Sequence, residues 1–312
     1  MTIHPDVVGI DVSKHHLDVF DASLGRGERL TNTADAIAVL AGRWAGSGRT
    51  VVFEATGHYD RALREGLEAA DVAYARVNPT KARDFARAAG FLAKTDAVDA
   101  RMLAAMGAAL RPDRAAPGDP ARERLARLHK RRDQLVAMRQ QERTRWAEVE
   151  AEDDTLGQAL DAHLVWLDAA VARLDRDIAN FVAEQPALDR ASRLVRSIPG
   201  VGVVTAVTLL ALVPELGARS PKALAALAGL APFNHDSGKL RGTRAIRGGR
   251  KRVRDALYMA AVSASRSNSR FKDNYKRLRD AGKPPKLAFI AIARKLLITA
   301  NAVLRDQQPF RA

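Results

Sequence analysis

Four acidic residues stand where predicted strands end or a predicted helix begins, and together they could hold a divalent metal ion. Asp11 lies near the end of the strand-like run VVGIDV, and Glu54 ends the run TVVFE. Asp96 and Asp99 follow Thr95, a plausible helix N-cap, and their spacing places both carboxylates on one helical face. Clustered carboxylates repel one another unless a cation neutralises them. We therefore expect a pocket for Mg²⁺ or Mn²⁺, which would activate a nucleophile and stabilise the leaving oxygen of a phosphoryl transfer.

The elements that must position these residues form an α/β region in the first third of the chain. Apolar and β-branched residues predict strands at VVGIDV and LDVF, which would pair as a hairpin, and a third strand around ERLTNT. The runs TVVFEA and VAYARVN predict two further strands, with a helix between them. Three antiparallel strands followed by βαβ units predict a mixed sheet. We place this domain at residues 1–112.

The acidic residues follow the order found in RNase H-like nucleases. Taken singly, each would be a turn former, a solvated side chain or a partner of a helix dipole. The motifs GIDVSK, FEATG and KTDAVDA resemble the RuvC-like DEDD domain of bacterial insertion-sequence transposases of the IS-one-ten type, the bridge-RNA-guided recombinases. The resemblance covers nearly the whole chain. It implies that Asp11, Glu54, Asp96 and Asp99 are the catalytic, metal-binding DEDD residues.

A helical coiled-coil connector is predicted at residues 118–188. The segment LRPDRAAPGDP before it carries three prolines and a glycine, which break helices. From Leu160 to Phe181, apolar residues then recur at alternating spacings of four and three, which is a heptad seam. A weaker seam runs from Leu125 to Val149. A helical hairpin within one chain would satisfy both seams, and so would a coiled coil between chains, which would make the protein a dimer or tetramer.

Residues 189–312 are predicted to form an α-helical C-terminal domain. Near its start, SIPGVG resembles a helix-hairpin-helix turn, in which Gly200 and Gly202 would leave backbone N–H groups free for a phosphate. An ordinary tight turn is the alternative. Ser237 lies in the polar loop HDSGK, where a serine is usually a turn residue or a phosphate donor.

The segment LAALAGLAPFNHDSGKLRG resembles the C-terminal transposase domain of the same family. That resemblance implies that Ser237, in the Ser-Gly motif, is a catalytic nucleophile. A serine hydroxyl needs a base or a metal to activate it. The acidic pocket is a better candidate for this role than His235, and it would require the two domains, from one subunit or from two, to meet.

The charge of the chain predicts a polyanionic partner. The net charge is +15 and the isoelectric point is about 10.6. Between Ser237 and Arg279, 14 Lys or Arg residues stand against two Asp, a net charge of +12. A solvated basic face is the alternative to a binding surface. We expect DNA phosphates to contact mainly this part of the chain, through Lys239, Arg241, Arg244, Arg247, Arg250, Lys251 and Arg254.

Composition limits the kinds of metal site and the cellular locations that we expect. The absence of cysteine excludes disulfides and thiolate metal sites. No signal peptide is recognisable, and the apolar run VVTAVTLLALV at 203–213 is about half the roughly 20 residues that cross a bilayer. We expect a buried helix there, no membrane association, and a cytoplasmic protein at the bacterial nucleoid.

These observations favour a DNA transposase or recombinase that cuts and rejoins strands. The family resemblance also implies a guide noncoding RNA. A RuvC-like endonuclease that uses metal-activated water and a noncatalytic nucleic-acid-binding regulator are the alternatives.

Overall fold

The computed structural model describes residues 6–55, 57, 59–91, 93, 95–149, 154–233, 245–267 and 269–311. The chain divides into two compact units, Met1–Gly118 and Asp119–Ala312. The expected three-part division, at 1–112, 118–188 and 189–312, is finer than this and stays a prediction. Of the predicted site residues, Ser237, Lys239, Arg241 and Arg244 lie outside the described residues.

The first unit is built on a mixed sheet of five strands in the order β3-β2-β1-β4-β5. Strands β1, β2 and β3 are antiparallel, and β4 and β5 run parallel to β1. This confirms the mixed sheet that the strand pattern predicted. The strands are β1 (Val7–Val12), β2 (His16–Asp21), β3 (Arg26–Thr31), β4 (Thr50–Glu54) and β5 (Ala73–Val77).

Within the described residues of this unit, four helices pack around the sheet. They are α1 (Ala34–Gly42), α2 (Arg61–Ala69), α3 (Pro79–Ala88) and α4 (Asp96–Leu110). One core contains α1, α2 and one face of the sheet, with Ile37, Leu40 and Leu63 almost fully buried. A second core contains α3, α4 and the other side, with Leu103 and Val52 fully buried. Because helices cover both faces, β1 and β4 are apolar along most of their length.

Glycines let α4 approach β1 very closely. A Cβ atom at Gly9 of β1 would collide with the backbone of α4 at Ala100 and Ala104. At Gly107, a Cβ atom would lie 2.7 Å from side-chain carbons of Val7 and Val52. The helix backbone therefore rests directly on the central strands, and its first turn is fixed beside the end of β1.

The second unit begins with a helical hairpin of α5 (Pro120–Trp146) and α6 (Asp154–Ala183). The ion pairs Arg132–Asp175 and Arg139–Asp168, at 2.8 and 2.7 Å, fix an antiparallel register. Leu167 of α6 is fully buried in a cluster with Leu135 and Val171. The seam of α6 thus packs on α5 of the same chain, and the hairpin alternative accounts for it.

The other helices complete a single core with the base of this hairpin. Leu125 of α5 and Ile178 of α6 pack with α8, α10 and α12. The short strands β6 and β7 pair antiparallel and lie on either side of residues 234–244 in sequence. The elements are α7 (Pro186–Arg196), α8 (Val203–Leu212), α9 (Pro221–Leu227), β6 (Pro232–Phe233), β7 (Ala245–Ile246), α10 (Lys251–Ser267), α11 (Ser269–Asp280) and α12 (Pro285–Asp306).

Two helices of this unit are notably apolar. The run at 203–213 forms α8, which is largely buried, as predicted. Helix α12 spans 22 residues with a mean hydropathy of 1.8, which is long and apolar enough to cross a membrane by these two criteria. Half of its apolar window is buried within the protein, and Ile292, Leu296 and Ala300 are fully buried. This burial is that of a core helix.

Candidate functional site

The predicted acidic residues meet at the carboxyl ends of the two central parallel strands. Asp11 lies near the end of β1 and Glu54 is the last residue of β4, and both are partly buried. In the parallel register Ile10 pairs with Phe53, so Asp11 and Glu54 are the next residues along the two strands. In α/β proteins, functional groups commonly lie at the carboxyl ends of parallel strands, which is where these two residues are.

The first turn of α4 brings the other two carboxylates. Thr95 has the extended backbone of an N-cap, and its side-chain oxygen accepts a hydrogen bond from the Val98 N–H at 3.3 Å. Helix α4 therefore begins at Asp96, with Asp96 exposed and Asp99 partly buried. The close packing of α4 on β1 at Gly9 carries this turn to the end of the strand.

Electrostatics shows that the carboxylates share one environment. The pKa of Asp11 is raised from 3.8 to about 6, first by burial and then by repulsion from Asp99, Asp96, Glu54 and Asp18. The pKa of Glu54 is also raised, by burial and then by Asp99. Asp11 is the centre of the group, because the charge of every other member raises its pKa.

The donor set fits a hard divalent cation. All its ligand atoms are carboxylate oxygens, which Mg²⁺ and Mn²⁺ prefer, and the crowding around Asp11 leaves negative charge for a cation to offset. Within the described part of the chain, no three acidic or histidine side chains are arranged to hold one ion. Simultaneous ligation by three of these carboxylates therefore requires a change in their arrangement.

Asp18 and Arg29 also border the acidic group, and the sequence interpretation missed both. Asp18 of β2 is opposite Asp11 in the β1–β2 ladder and opposite Arg29 in the β2–β3 ladder. The Arg29 Nε donates to Asp18 Oδ1 at 3.0 Å, and its Nη2 donates to Asp18 Oδ2 at 3.0 Å and to Asp96 Oδ2 at 2.7 Å. Cross-strand partners share one face of a sheet, so a predicted hairpin register could have found this triplet.

Arg83 was missed as well. This exposed residue of α3 lies near enough to the acidic group for its charge to lower the pKa of Glu54, against the larger effects of burial and Asp99. Helix α3 starts directly after β5, where Asn78 caps it by accepting from the Thr80 N–H at 2.9 Å. The guanidinium group of Arg83, beside the carboxylates, is suited to contact a phosphate. The charge pattern of the sequence had predicted phosphate contacts mainly in the C-terminal third.

The glycine turn SIPGVG joins α7 to α8 in the second unit. Gly200 has a φ of +82°, and a Cβ atom there would lie 2.5 to 2.7 Å from atoms of Ala260 and Ala264 in α10. Gly200 is thus required for the turn and for its packing on α10. Gly202 is the exposed N-cap of α8, with open space around its Cα. Phosphate binding by these two residues stays a prediction.

The described basic residues of the predicted phosphate-binding stretch differ in their surroundings. Arg247 is exposed and makes no side-chain hydrogen bond or ion pair with the residues that the structure describes. The other three have bonds within the protein. Arg250 forms a two-point pair with Glu215 at 2.6 and 2.7 Å, Lys251 contacts Asp255 at 2.6 Å, and Arg254 donates to the Gly248 carbonyl at 2.7 Å.

The Arg250–Glu215 pair supports the fold. Burial raises the pKa of Glu215, but the hydrogen bonds and charge of Arg250 outweigh burial, so that the net shift is downward. The Arg250 N–H also donates to the Leu227 carbonyl at 2.8 Å. Arg250 therefore holds the start of α10 against two earlier segments, a role distinct from the predicted contact with phosphate.

Comparison with known proteins gives the same functional class for both units. Residues 8–149 match a DEDD family described as transposase, and residues 192–276 match one described as Transposase IS116/IS110/IS902 family. The chain is 30% identical to the pilin gene-inverting proteins of Moraxella lacunata and Moraxella bovis over 314 aligned residues, covering 97% of this chain and of each relative.

A further relative is the uncharacterized 43.6 kDa protein of insertion element IS110 from Streptomyces coelicolor. It is 36% identical over 118 residues, which are 37% of this chain and 29% of that protein. A mixed sheet with grouped carboxylates and two matched transposase regions define the class as DNA transposases and recombinases. The chain belongs to the IS110/IS116/IS902 family of transposases.

Proposed function

We propose that this protein cuts and rejoins DNA strands with a metal-binding acidic site in its first unit and Ser237 as the nucleophile. The observation that supports it most is geometric: Asp11 and Glu54 lie at the ends of neighbouring parallel strands, and α4, whose first turn contains Asp96 and Asp99, packs directly on β1. The relatives from Moraxella are named as gene-inverting proteins, and inversion of a gene requires strands to be cut and rejoined. We extend that chemistry to this chain.

We assign the first unit to the RNase H-like, RuvC-like fold. The strand order β3-β2-β1-β4-β5, with Asp11 on the central strand, supports this assignment. For the second unit we propose a coiled-coil hairpin and a helix-hairpin-helix-like turn, which the α5–α6 seam and the α7–α8 turn support.

In the first unit, Asp11, Glu54, Asp96 and Asp99 would hold Mg²⁺ or Mn²⁺. A bound divalent ion supplies Lewis acidity, which activates a nucleophile and stabilises a leaving oxygen. The carboxylates of Asp11 and Glu54 must be ionised to serve, and both have raised pKa values. A cation nearby favours the ionised form, so metal binding and proton release are coupled.

The proposed serine step conserves the energy of the phosphodiester. The Ser237 hydroxyl oxygen attacks phosphorus and forms a new P–O bond, the bond to the 3′ oxygen breaks, and the serine proton is passed on to that oxygen. The products are a phosphoserine link and a free 3′ hydroxyl. Attack of a 3′ hydroxyl on the phosphoserine reverses the step and rejoins a strand without an energy cofactor.

DNA is the proposed substrate, gripped by the basic C-terminal region, with exposed Arg247 as one phosphate contact. A guide noncoding RNA, a dimeric or tetrameric state and a location at the bacterial nucleoid are further proposals, which rest on the family resemblance and the positive charge.

A covalent trapping experiment tests Ser237. We expect a nicked suicide substrate to leave wild-type protein attached to DNA through a phosphoserine that survives denaturant. Ser237→Ala should leave no adduct, because the attacking oxygen is gone. The matched control is Ser263→Ala, which changes an exposed serine of α10 in the same basic region and should form the adduct normally.

The same experiment separates the alternatives. If the protein were a metal-dependent nuclease that uses water, the Ser237→Ala variant would cleave DNA at the wild-type rate. The wild-type protein would then form no covalent adduct. A noncatalytic regulator would bind DNA but would not cleave it in Mg²⁺ or Mn²⁺. Either result would contradict the serine mechanism.

A further inference from the structure

An ion pair between buried Asp18 and half-exposed Arg29 lies beside the proposed metal site, and no step of the proposed reaction uses it. Asp18 is only 7% exposed, and Arg29 engages both of its carboxylate oxygens. Two parallel N–H bonds to one carboxylate fix the plane of a guanidinium group. The two-point bond to Asp18 of β2 therefore orients the Arg29 guanidinium group, although its side chain is 53% exposed.

The fixed guanidinium reaches one further acceptor. Its Nη2 donates to Asp96 Oδ2 at 2.7 Å, across 67 positions of sequence. Asp96 is at the first position of α4, its side chain is 56% exposed, and among the residues that the structure describes Arg29 makes its only side-chain bond. An exposed aspartate at a helix start samples several rotamers unless a bond selects one.

We infer that Arg29 is a positioning residue for the proposed metal site: anchored by Asp18, it holds Asp96 Oδ2 and leaves Oδ1 as the oxygen available to an ion. This inference rests on the proposed function. Asp18 correspondingly serves as the anchor of Arg29 and not as a fifth metal ligand, because both of its oxygens already accept from the guanidinium.

Removal of Arg29 should change the metal affinity in opposite directions, depending on whether Arg29 orients Asp96 or acts only through its charge. If Arg29 acted only through its charge, it would repel a divalent cation, and its removal would tighten metal binding. If it orients Asp96, its removal weakens binding, as happens when hydrogen-bond partners of metal ligands are lost, by about 10- to 100-fold. Lysine keeps the charge but cannot bond two carboxylates in the same fixed geometry.

Calorimetric titration of Mg²⁺ and Mn²⁺ into the full chain without nucleic acid tests this. We expect Arg29→Lys and Arg29→Gln to bind about 10- to 100-fold more weakly than wild type. The matched control is Arg43→Gln, which breaks the surface pair of Arg43 with Glu28 in the same unit and should bind as wild type does. Circular dichroism establishes that each variant is folded.

The outcomes are distinct. Unchanged affinity in a folded Arg29→Lys, or tighter binding by Arg29→Gln, would overturn the positioning role while leaving the metal site intact. If Arg29→Gln fails to fold, Arg29→Lys decides, because it keeps a positive charge opposite Asp18. Wild-type protein that binds neither ion would remove the proposed metal site, and this inference with it.

Discussion

The carboxylate of Asp11 is surrounded by other acidic side chains. It is half buried on the central strand, and four other carboxylates raise its pKa in addition to burial. An ionised carboxylate in such surroundings destabilises the folded state until a cation offsets the charge. Catalytic groups commonly have this property, since an arrangement suited to the reaction is not the most stable one.

Replacement of Asp11 by Asn should therefore abolish DNA cleavage and also stabilise the metal-free protein. Above about pH 6 the folded state contains an ionised Asp11 that the unfolded state tolerates more easily. We expect Asn to raise the free energy of unfolding by about 1 kcal/mol near neutral pH, after allowance for screening by solvent. Chemical denaturation in the presence of a chelator measures it.

The sign of the pH dependence checks the cause. Between pH 3.8 and about 6, folding takes up a proton on Asp11, so stability falls as the pH rises through that window. Below it Asp11 is protonated in both states, and the difference between Asp11→Asn and wild type should vanish. Asp84→Asn, at an exposed position of α3, is the control. Equal stability of wild type and Asp11→Asn near neutral pH would contradict the crowding argument.

At the scale of elements, the contact of α4 with β1 positions half of the acidic group. Asp96 and Asp99 lie in the first turn of α4, and their location follows from how closely the helix approaches the strand. Gly9, Ala100 and Ala104 set this approach, because a larger residue at position 9 would meet the helix backbone.

Gly9→Ala should consequently impair the site without altering any acidic residue. The added methyl forces α4 away from β1, at a cost of about 1 to 3 kcal/mol as in overpacked cores. We expect a lower midpoint of thermal unfolding together with weaker Mg²⁺ binding. Gly42→Ala, at the end of α1 with open space beside the helix for the new methyl, is the control. Wild-type metal affinity in Gly9→Ala would show that helix placement does not matter.

The α5–α6 hairpin makes a second prediction at this scale. Leu167 is fully buried, whereas the neighbouring Trp166 is 56% exposed. Leu167→Glu places a carboxylate in the cluster with Leu135 and Val171 and should cost about 3 kcal/mol or more. Trp166→Glu should leave stability nearly unchanged. Thermal unfolding followed at the helical signal compares them, and equal midpoints would contradict packing of the seam inside one chain.

At the scale of the whole molecule, the positive charge is uneven. The stretch from Ser237 to Arg279 contributes +12 of the net +15, although part of it is bonded within the protein, as at Arg250, Lys251 and Arg254. Phosphates compete most readily for cations that have no internal partner. Exposed Arg247 is such a residue among those that the structure describes.

DNA affinity should fall by orders of magnitude between about 50 and 200 mM salt, because bound phosphates release counterions. Arg247→Gln should reduce the slope of log affinity against log salt by about 1 and leave stability unchanged. Arg250→Gln should instead lower stability, since Glu215 would lose its partner in a half-buried position. A salt-independent affinity would exclude the basic region as the binding surface.

Local patterns in the sequence predicted many of the elements and the acidic candidate residues, but not α3 or the β6–β7 pair, and the role of Ser237 came from the family resemblance. Apolar alternation and helical spacing predicted the mixed sheet, the buried α8 and the seam of α6, because strand and helix periods depend on neighbouring residues. The order of Asp11, Glu54, Asp96 and Asp99 predicted an acidic group, since strand ends and a capped helix start are recognisable locally.

Only the tertiary structure decided which of these groups share an environment and which are bonded elsewhere. Asp18 and Arg29 join the acidic group through strand register, and Arg250 pairs with Glu215 across 35 positions of sequence. The seam of α6 packs on α5 within one chain, an alternative that the heptad spacing alone left open. Strand register and packing decide which residues that are distant in sequence become partners. The local pattern of a sequence specifies neither register nor packing.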